Sequence, residues 1–207
     1  MKKEDEKLRF EDLLRKRGVS ALGNPAVERE ILERYQDDCA VLILDSSGFT
    51  RLTRKFGIIH FLSLFVSLRD VVEPLFKPHH AIGYWAEADN IFAMFPSAKF
   101  ALECAFAVNE AVRAANETRQ ADDRLDVCIG IGSGKLLRVG AANIYGDEMN
   151  LASKLGEDIA GPGEILLSDR AYEEVKDLLA ERNPEACATR ISGLEIKYYK
   201  VRCATAR

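Results

Sequence analysis

The sequence predicts an α/β fold, an α+β sandwich in which a mostly antiparallel sheet carries helices on one face. Three observations point there. Residues 39–44, Cys-Ala-Val-Leu-Ile-Leu, form a short continuous apolar run, the pattern of a fully buried strand. Long helical patterns alternate with strand-like runs from there to the C-terminus. A chain of 207 residues, 47% hydrophobic and 30% charged, suits one ordinary core plus a short arm. With 29 Lys plus Arg against 33 Asp plus Glu, the net charge is -4. That balance speaks against a disordered polyelectrolyte and against a nucleic-acid binder, whose affinity rests on basic side chains.

The elements follow in order. Residues 1–38 read as a helical N-terminal arm and residues 39–207 as the core domain. In the arm, Leu8, Leu13 and Leu14 recur at near-helical spacing until Gly18 and Gly23-Asn24-Pro25 break the pattern. Pro25 suits the first turn of a second helix, where Val27, Ile31 and Leu32 share a face with Tyr35 one turn on. Such an arm buries little alone, so it should pack on the domain or on a partner subunit. The first strand ends at Asp45, and Ser46-Ser47-Gly48 turns the chain into a helical stretch over residues 49–76, broken near Gly57 and ended by Pro78. Residues 81–85 and 91–95 read as strands joined by a tight turn. Ser97 opens a helix to about residue 118, with Ala101, Leu102, Ala105, Val108 and Val112 on its apolar face. Residues 125–131 form a strand, with 135–139 as its candidate hairpin partner. Asp147 is placed to cap a helix to residue 159, and Ser168 one to residue 179. Strands at 165–167, 188–191 and 196–202 complete the set.

Cys39, Cys104, Cys128, Cys187 and Cys203 are odd in number, widely spaced and without a C-x-x-C pair, which argues against a disulfide framework or a zinc site. No apolar run approaches ~18 residues, and nothing after Met1 reads as a signal peptide. The expectation is a reduced, cytoplasmic protein with neither a membrane nor a nucleic acid as partner.

Two carboxylates sit where strands end or turn. Asp45 follows the buried run, and Asp89 lies in the turn Ala86-Glu-Ala-Asp-Asn90. Aspartates on neighbouring strands suit hard divalent cations, although each equally suits a turn cap. The small residues after Asp45 expose backbone N–H groups at a helix start, which suits phosphate oxygens. A metal-triphosphate site is the chemistry these types suggest together.

These segments also resemble a family. Asp45-Ser-Ser-Gly-Phe-Thr50 resembles the D-x-x-G-F-T motif of class III nucleotidyl cyclases, the adenylate/guanylate cyclase catalytic domain. Ala88-Asp89-Asn-Ile-Phe-Ala-Met-Phe95 is similar to the hairpin carrying that family's second metal aspartate, where Gly-Asp is more usual. Gly130-Ile-Gly-Ser-Gly134 with Gly140, Tyr145-Gly-Asp-Glu-Met-Asn-Leu-Ala-Ser-Lys154 and Gly163-Glu-Ile-Leu-Leu-Ser168 match its later motifs in order. The resemblance runs from about residue 40 to 201 and implies a ferredoxin-like βααβαββαβ core.

The resemblance further implies a homodimer with its active site at the interface. A nucleoside triphosphate would become a 3′,5′-cyclic nucleotide plus pyrophosphate by attack of the 3′-hydroxyl on the α-phosphorus. Asp45, Asp89 and the Ser46 carbonyl would hold two divalent metals, Mg²⁺ or Mn²⁺, one lowering the pKa of the 3′-hydroxyl and one neutralising the triphosphate. The backbone of Ser47, Gly48, Phe49 and Thr50 would cradle the β- and γ-phosphates. Asn150 would orient the ribose, and Lys154 would stabilise the pentavalent phosphorus from the same helix face, four residues on. The aspartates and the Asn150/Lys154 pair would come from opposite subunits.

Four positions depart from the pattern. Lys154 stands where Arg is usual, keeping the charge but losing the bidentate fork. The phosphate-contacting Lys of the C-terminal hairpin has no clear match; Gly193 falls near it, with Lys197 and Lys200 as neighbours. Trp85 and Asn143 stand where a Lys and an Asp would read adenine. Trp85 would stack on the base, shrink the pocket towards a pyrimidine, or merely fill an apolar gap. The resemblance makes ATP the default substrate, while these side chains leave GTP and the pyrimidine nucleotides open. A weakly active or inactive domain that binds nucleotide or a partner is the alternative. His79-His80 read as a solvated loop, Asp147 as a helix cap and Arg15-Lys-Arg17 as a solvated face, while Glu87 reads equally as a support for the metal aspartates or as a solvated turn carboxylate.

Overall fold

The buried first strand organises the molecule. In a computed structural model describing residues 3–140, 142–191 and 193–202, it extends over β1 (Gln36–Ser46). It lies between β3 (Asn90–Phe95) and β4 (Val127–Val139), antiparallel to both. β2 (Gly83–Glu87) forms a tight hairpin with β3, turning at Ala88 with φ 53°. β5 (Asn143–Tyr145) folds back on the end of β4. β6 (Ile165–Ser168) joins β4 in parallel, and β8 (Leu194–Val201) and β7 (Glu185–Ile191) extend that edge. The described strands run β2-β3-β1-β4-β6-β8-β7, antiparallel except for β4 with β6. Residues 135–139 are the continuation of β4; its hairpin partner is β5.

Alternation along β1 divides the core. Ala40, Leu42 and Leu44 face one layer; Cys39, Val41 and Ile43 face the other. The first layer is covered by α4 (Ile58–Phe76), α5 (Ala98–Glu117) and α7 (Asp169–Val175), through Phe61, Phe65, Leu102, Ala105, Ala171 and Val175. Gly57, at φ 89°, breaks the helical stretch between α3 (Phe49–Phe56) and α4. Helices do not keep to one face, however. α6 (Asp147–Ser153) and the π-helical turn Lys154–Ile159 lie on the second layer with Ala152 against Ile43 and Leu136. Gly130 and Gly132 permit this approach: a Cβ on either would sit 2.1 Å from the Ala152 carbonyl or 2.4 Å from that of Glu148.

The arm packs on the core. α1 (Lys3–Arg17) and α2 (Pro25–Tyr35) bury Phe10, Leu13, Ile31 and Tyr35 against Val139 and Leu137 of β4. Leu8, Leu14 and Leu32 stay exposed, so only part of each apolar stripe is used. Asn24 caps α2 by accepting from the Ala26 and Val27 N–H groups. Arg15 pairs with Glu11 and Asp12, and Arg17 with Glu28. Cys39, Cys104 and Cys128 are buried free thiols and Cys187 is half-buried; Cys203 lies outside the described residues. No helix among the described residues is long and apolar enough to cross a membrane.

Candidate active site

The second face of the sheet is covered in part by α6, and strand register places the candidate chemistry there. Asp45 pairs with Asn90, Ile43 with Phe92, and Phe92 with Trp85, so these side chains share the face of Ile43. Glu87, two residues after Trp85, shares it as well.

Asp45 and Asp89 come together. Burial first, then the Asp89 carboxylate, then Glu157 push the Asp45 carboxyl up to about 7, against a lowering hydrogen bond from the Ser46 backbone. Glu157, on the turn after α6, is itself raised by burial, by Asp158 and by Asp89. Among the described residues no Lys, Arg or His pairs with Asp45 or Asp89. Asn90, the cross-strand partner of Asp45, has its Oδ1 buried without a hydrogen-bond partner. Two carboxylates lacking a counter-charge, next to an orphaned carbonyl oxygen, fit a hard divalent cation. Among the described residues no three His, Cys, Asp or Glu groups converge tightly enough to hold a metal. The protein would therefore supply two carboxylates, leaving the remaining positions to water and phosphate oxygens, as is usual for Mg²⁺.

The segment after Asp45 is divided in its availability. The Ser47 N–H already donates to the Asp126 carbonyl at 2.9 Å. Gly48, at φ 97°, leads into α3 without a side-chain cap. The first-turn N–H groups at Phe49 and Thr50 therefore have no intrahelical acceptor.

Trp85 and Asn143 line one cleft of about 200 Å³ with Glu87, Phe92, Ile144, Tyr145 and Met149. The Trp85 indole stacks on Phe92, with centroids 5.0 Å apart and 7° between planes. It thus fills an apolar gap and forms a wall of the cleft at once. Asn143 Nδ2 donates to the Val139 carbonyl at 3.3 Å, which orients its carboxamide. Glu87 belongs to this wall. A larger cleft of about 760 Å³ beside Arg69 and Tyr84 contains none of these residues.

Asn150 and Lys154 lie exposed along α6 and the turn that follows it. Neither is joined by a hydrogen bond or ion pair to Asp45 or Asp89 among the described residues. Lys154 Nζ instead meets Asp158 at 2.6 Å, and that hydrogen bond raises its pKa. Asp147 is the first residue of α6 but makes no capping bond; Gly146 holds the cap position. Lys200 is committed to Glu164 at 2.9 Å, and Lys197 is exposed on β8. The His80 ring rests on Phe100.

Solved structures share this fold. A crystal structure of an adenylate/guanylate cyclase/hydrolase from Silicibacter pomeroyi superposes with a TM-score of 0.70 at 23% identity, covering 81% of this chain and 97% of that one. The chain has the class III nucleotidyl cyclase fold. The adenylyl cyclase CyaB from P. aeruginosa (TM-score 0.65, 19% identity, 83% and 96% covered) shares this cyclase fold. So does the guanylate cyclase domain of RhGC from Catenaria anguillulae, solved with GTP (0.67, 17%, 82% and 99%). In sequence, the chain is 30% identical over 136 residues to a putative adenylate cyclase 3 of Rhizobium meliloti. That match takes in 66% of this chain but 23% of the relative, so the chain spans about a quarter of that protein's length. No protein-family model matches the chain.

Sequence reasoning passed over Glu157, Phe92, Met149 and Glu148. Register with Trp85 would have found Phe92, and spacing of three from Lys154 would have found Glu157. Glu148 had no local signal, because its partners lie on two other strands.

Proposed function

We propose that this protein is a nucleotidyl cyclase, converting a nucleoside triphosphate to a 3′,5′-cyclic nucleotide and pyrophosphate at a site shared between two copies of the chain. The observation that carries this reading is the Asp45–Asp89 pair, two adjoining carboxylates without a counter-charge on the open sheet face. Divalent ions held there would supply positive charge to the triphosphate and the 3′-oxygen. The free first-turn N–H groups of α3 would bind phosphate oxygens. The cleft of Trp85, Asn143 and Glu87 would take the base. Asn150 and Lys154, facing outward from α6, would act on nucleotide held by the partner copy, Asn150 at the ribose and Lys154 at the α-phosphate. Positioning and charge account for such a reaction, with little covalent work for the protein. Free thiols at Cys39, Cys104 and Cys128 fit a cytoplasmic setting.

Incubation with ATP, GTP, CTP and UTP plus Mn²⁺, followed by mass spectrometry, tests this. A cyclic product is expected from at least one, and Asp45→Ala should lower kcat at least about a hundredfold, on the order of 3 kcal/mol. Trp85→Lys should change the preference among the four bases. No cyclic product from any of them sinks the reading. A second reading, nucleotide binding with little turnover, is favoured by Lys154, which replaces an Arg and is already held by Asp158. Calorimetric binding of nucleotide without product would establish it.

A further inference from the structure

The helix presenting Asn150 and Lys154 is short, and one buried acid ties it down. α6 has seven residues, and Gly146 gives it no side-chain cap. A single helix of that length has little stability of its own, so its rotation and height over the sheet are set by tertiary contacts. Its inner face is Glu148 and Ala152, four apart; Asn150 stands about 200° round from Glu148 on the outer face.

Glu148 is 8% exposed. Its Oε2 accepts from the Ser133 N–H of β4 at 3.2 Å and from the Ser168 hydroxyl at the end of β6 at 2.5 Å. Its Oε1 lies 3.8 Å from the Arg170 guanidinium of α7. Ser168 Oγ in turn accepts from the Ala171 N–H and caps α7. One carboxylate thus joins α6 to two strands and a helix. The glycines beneath bring the α6 backbone against β4, so no side chain cushions a shift.

We propose that Glu148 is the positioning residue of the Asn150/Lys154 pair, an inference that rests on the cyclase reading above. By holding α6 in register with β4 and β6, it fixes where both outer side chains meet the nucleotide. Its role is reach more than charge: both hydrogen bonds end on one oxygen, and the Arg170 guanidinium at 3.8 Å is too far and too exposed for the ion pair to carry the contact. A carboxamide oxygen of the same length can accept both; a shorter carboxylate cannot.

The test compares wild type, Glu148→Gln, Glu148→Asp and Glu148→Ala in Mn²⁺-dependent cyclase assays, with the thermal midpoint of each. Displacement of catalytic groups by about 1 Å costs about a hundredfold in rate. The kcat of Glu148→Ala should fall by about that factor and that of Glu148→Asp by at least tenfold, with KM within about threefold in both. Glu148→Gln should stay within about threefold of wild type in kcat. Should Glu148→Ala fail to fold, the Gln and Asp variants decide. The inference is overturned if Glu148→Asp keeps wild-type kcat, or if Glu148→Gln is as impaired as Glu148→Asp. A wild-type protein that turns over no nucleotide overturns the cyclase reading itself, a result distinct from either.

Discussion

Asp45 carries the carboxyl on the sheet face whose chemistry is moved furthest. Its carboxyl is pushed up to about 7 by burial and then by Asp89, whereas in the unfolded chain it titrates near about 4. The folded state therefore binds the extra proton between those values, and stability falls as pH rises through them. The thermal midpoint of the metal-free protein should drop between about pH 4 and pH 7, and Asp45→Asn should flatten that drop. Added Mn²⁺ should raise the midpoint at the alkaline end, where the carboxylate is free to bind it. A pH profile untouched by Asp45→Asn refutes the assignment. Lys154 offers the opposite experiment, a gain. Lys154→Arg restores a planar fork able to meet two phosphate oxygens, so kcat should rise by about three- to tenfold, and an unchanged or lower kcat removes Lys154 from the α-phosphate. The competing Asp158 contact lies four residues away along the chain, a spacing visible in the sequence.

At the scale of elements, the contact of α6 with β4 is the one most exposed to a single atom. A Cβ on Gly130 would lie 2.1 Å from the Ala152 carbonyl and 2.6 Å from the Gly156 N–H, both backbone atoms. Neither can rotate away, so Gly130→Ala must lift the helix. Overpacking of this kind costs about 1–3 kcal/mol, to be read by urea unfolding, and turnover should fall with it. Wild-type activity in a stable Gly130→Ala protein would show that the height of α6 is not critical. The arm is coupled to the same region, since the Phe10 ring stacks on Tyr145 at 5.8 Å and Tyr145 lines the cleft. Strands, long helices and the break at Gly57 were legible as periodicity and punctuation. The uninterrupted length of β4 was not, because Gly132, Ser133 and Gly134 look like a turn until β1 is seen pairing through them.

For the whole molecule, the decisive property is that no hydrogen bond or ion pair joins the carboxylate pair to Asn150 or Lys154 among the described residues. If they act across a twofold interface, chains carrying Asp45→Ala and chains carrying Asn150→Ala should each be inactive alone and active when mixed. Half of the mixed population would be heterodimers with one intact site, giving about a quarter of the wild-type rate per chain. Activity that stays absent after subunit exchange argues for a site complete within a single chain. The net charge of -4 does not oppose an anionic substrate in this arrangement, because the positive charge would be local, at Asp45 and Asp89 with their metals.

By itself the sequence determined the residue types and their order: a buried strand ending in Asp45, a turn at Asp89, a helix presenting Asn150 and Lys154. Those follow from local propensity and spacing, which a linear reading captures. Only the tertiary structure decided which of them meet. It put Trp85, Glu87 and Asn143 around one cleft and α6 on the open face. It also gave Glu148 its partners on β4 and β6. Such contacts join residues far apart in the chain, and strand order and register, which no local pattern encodes, bring them together.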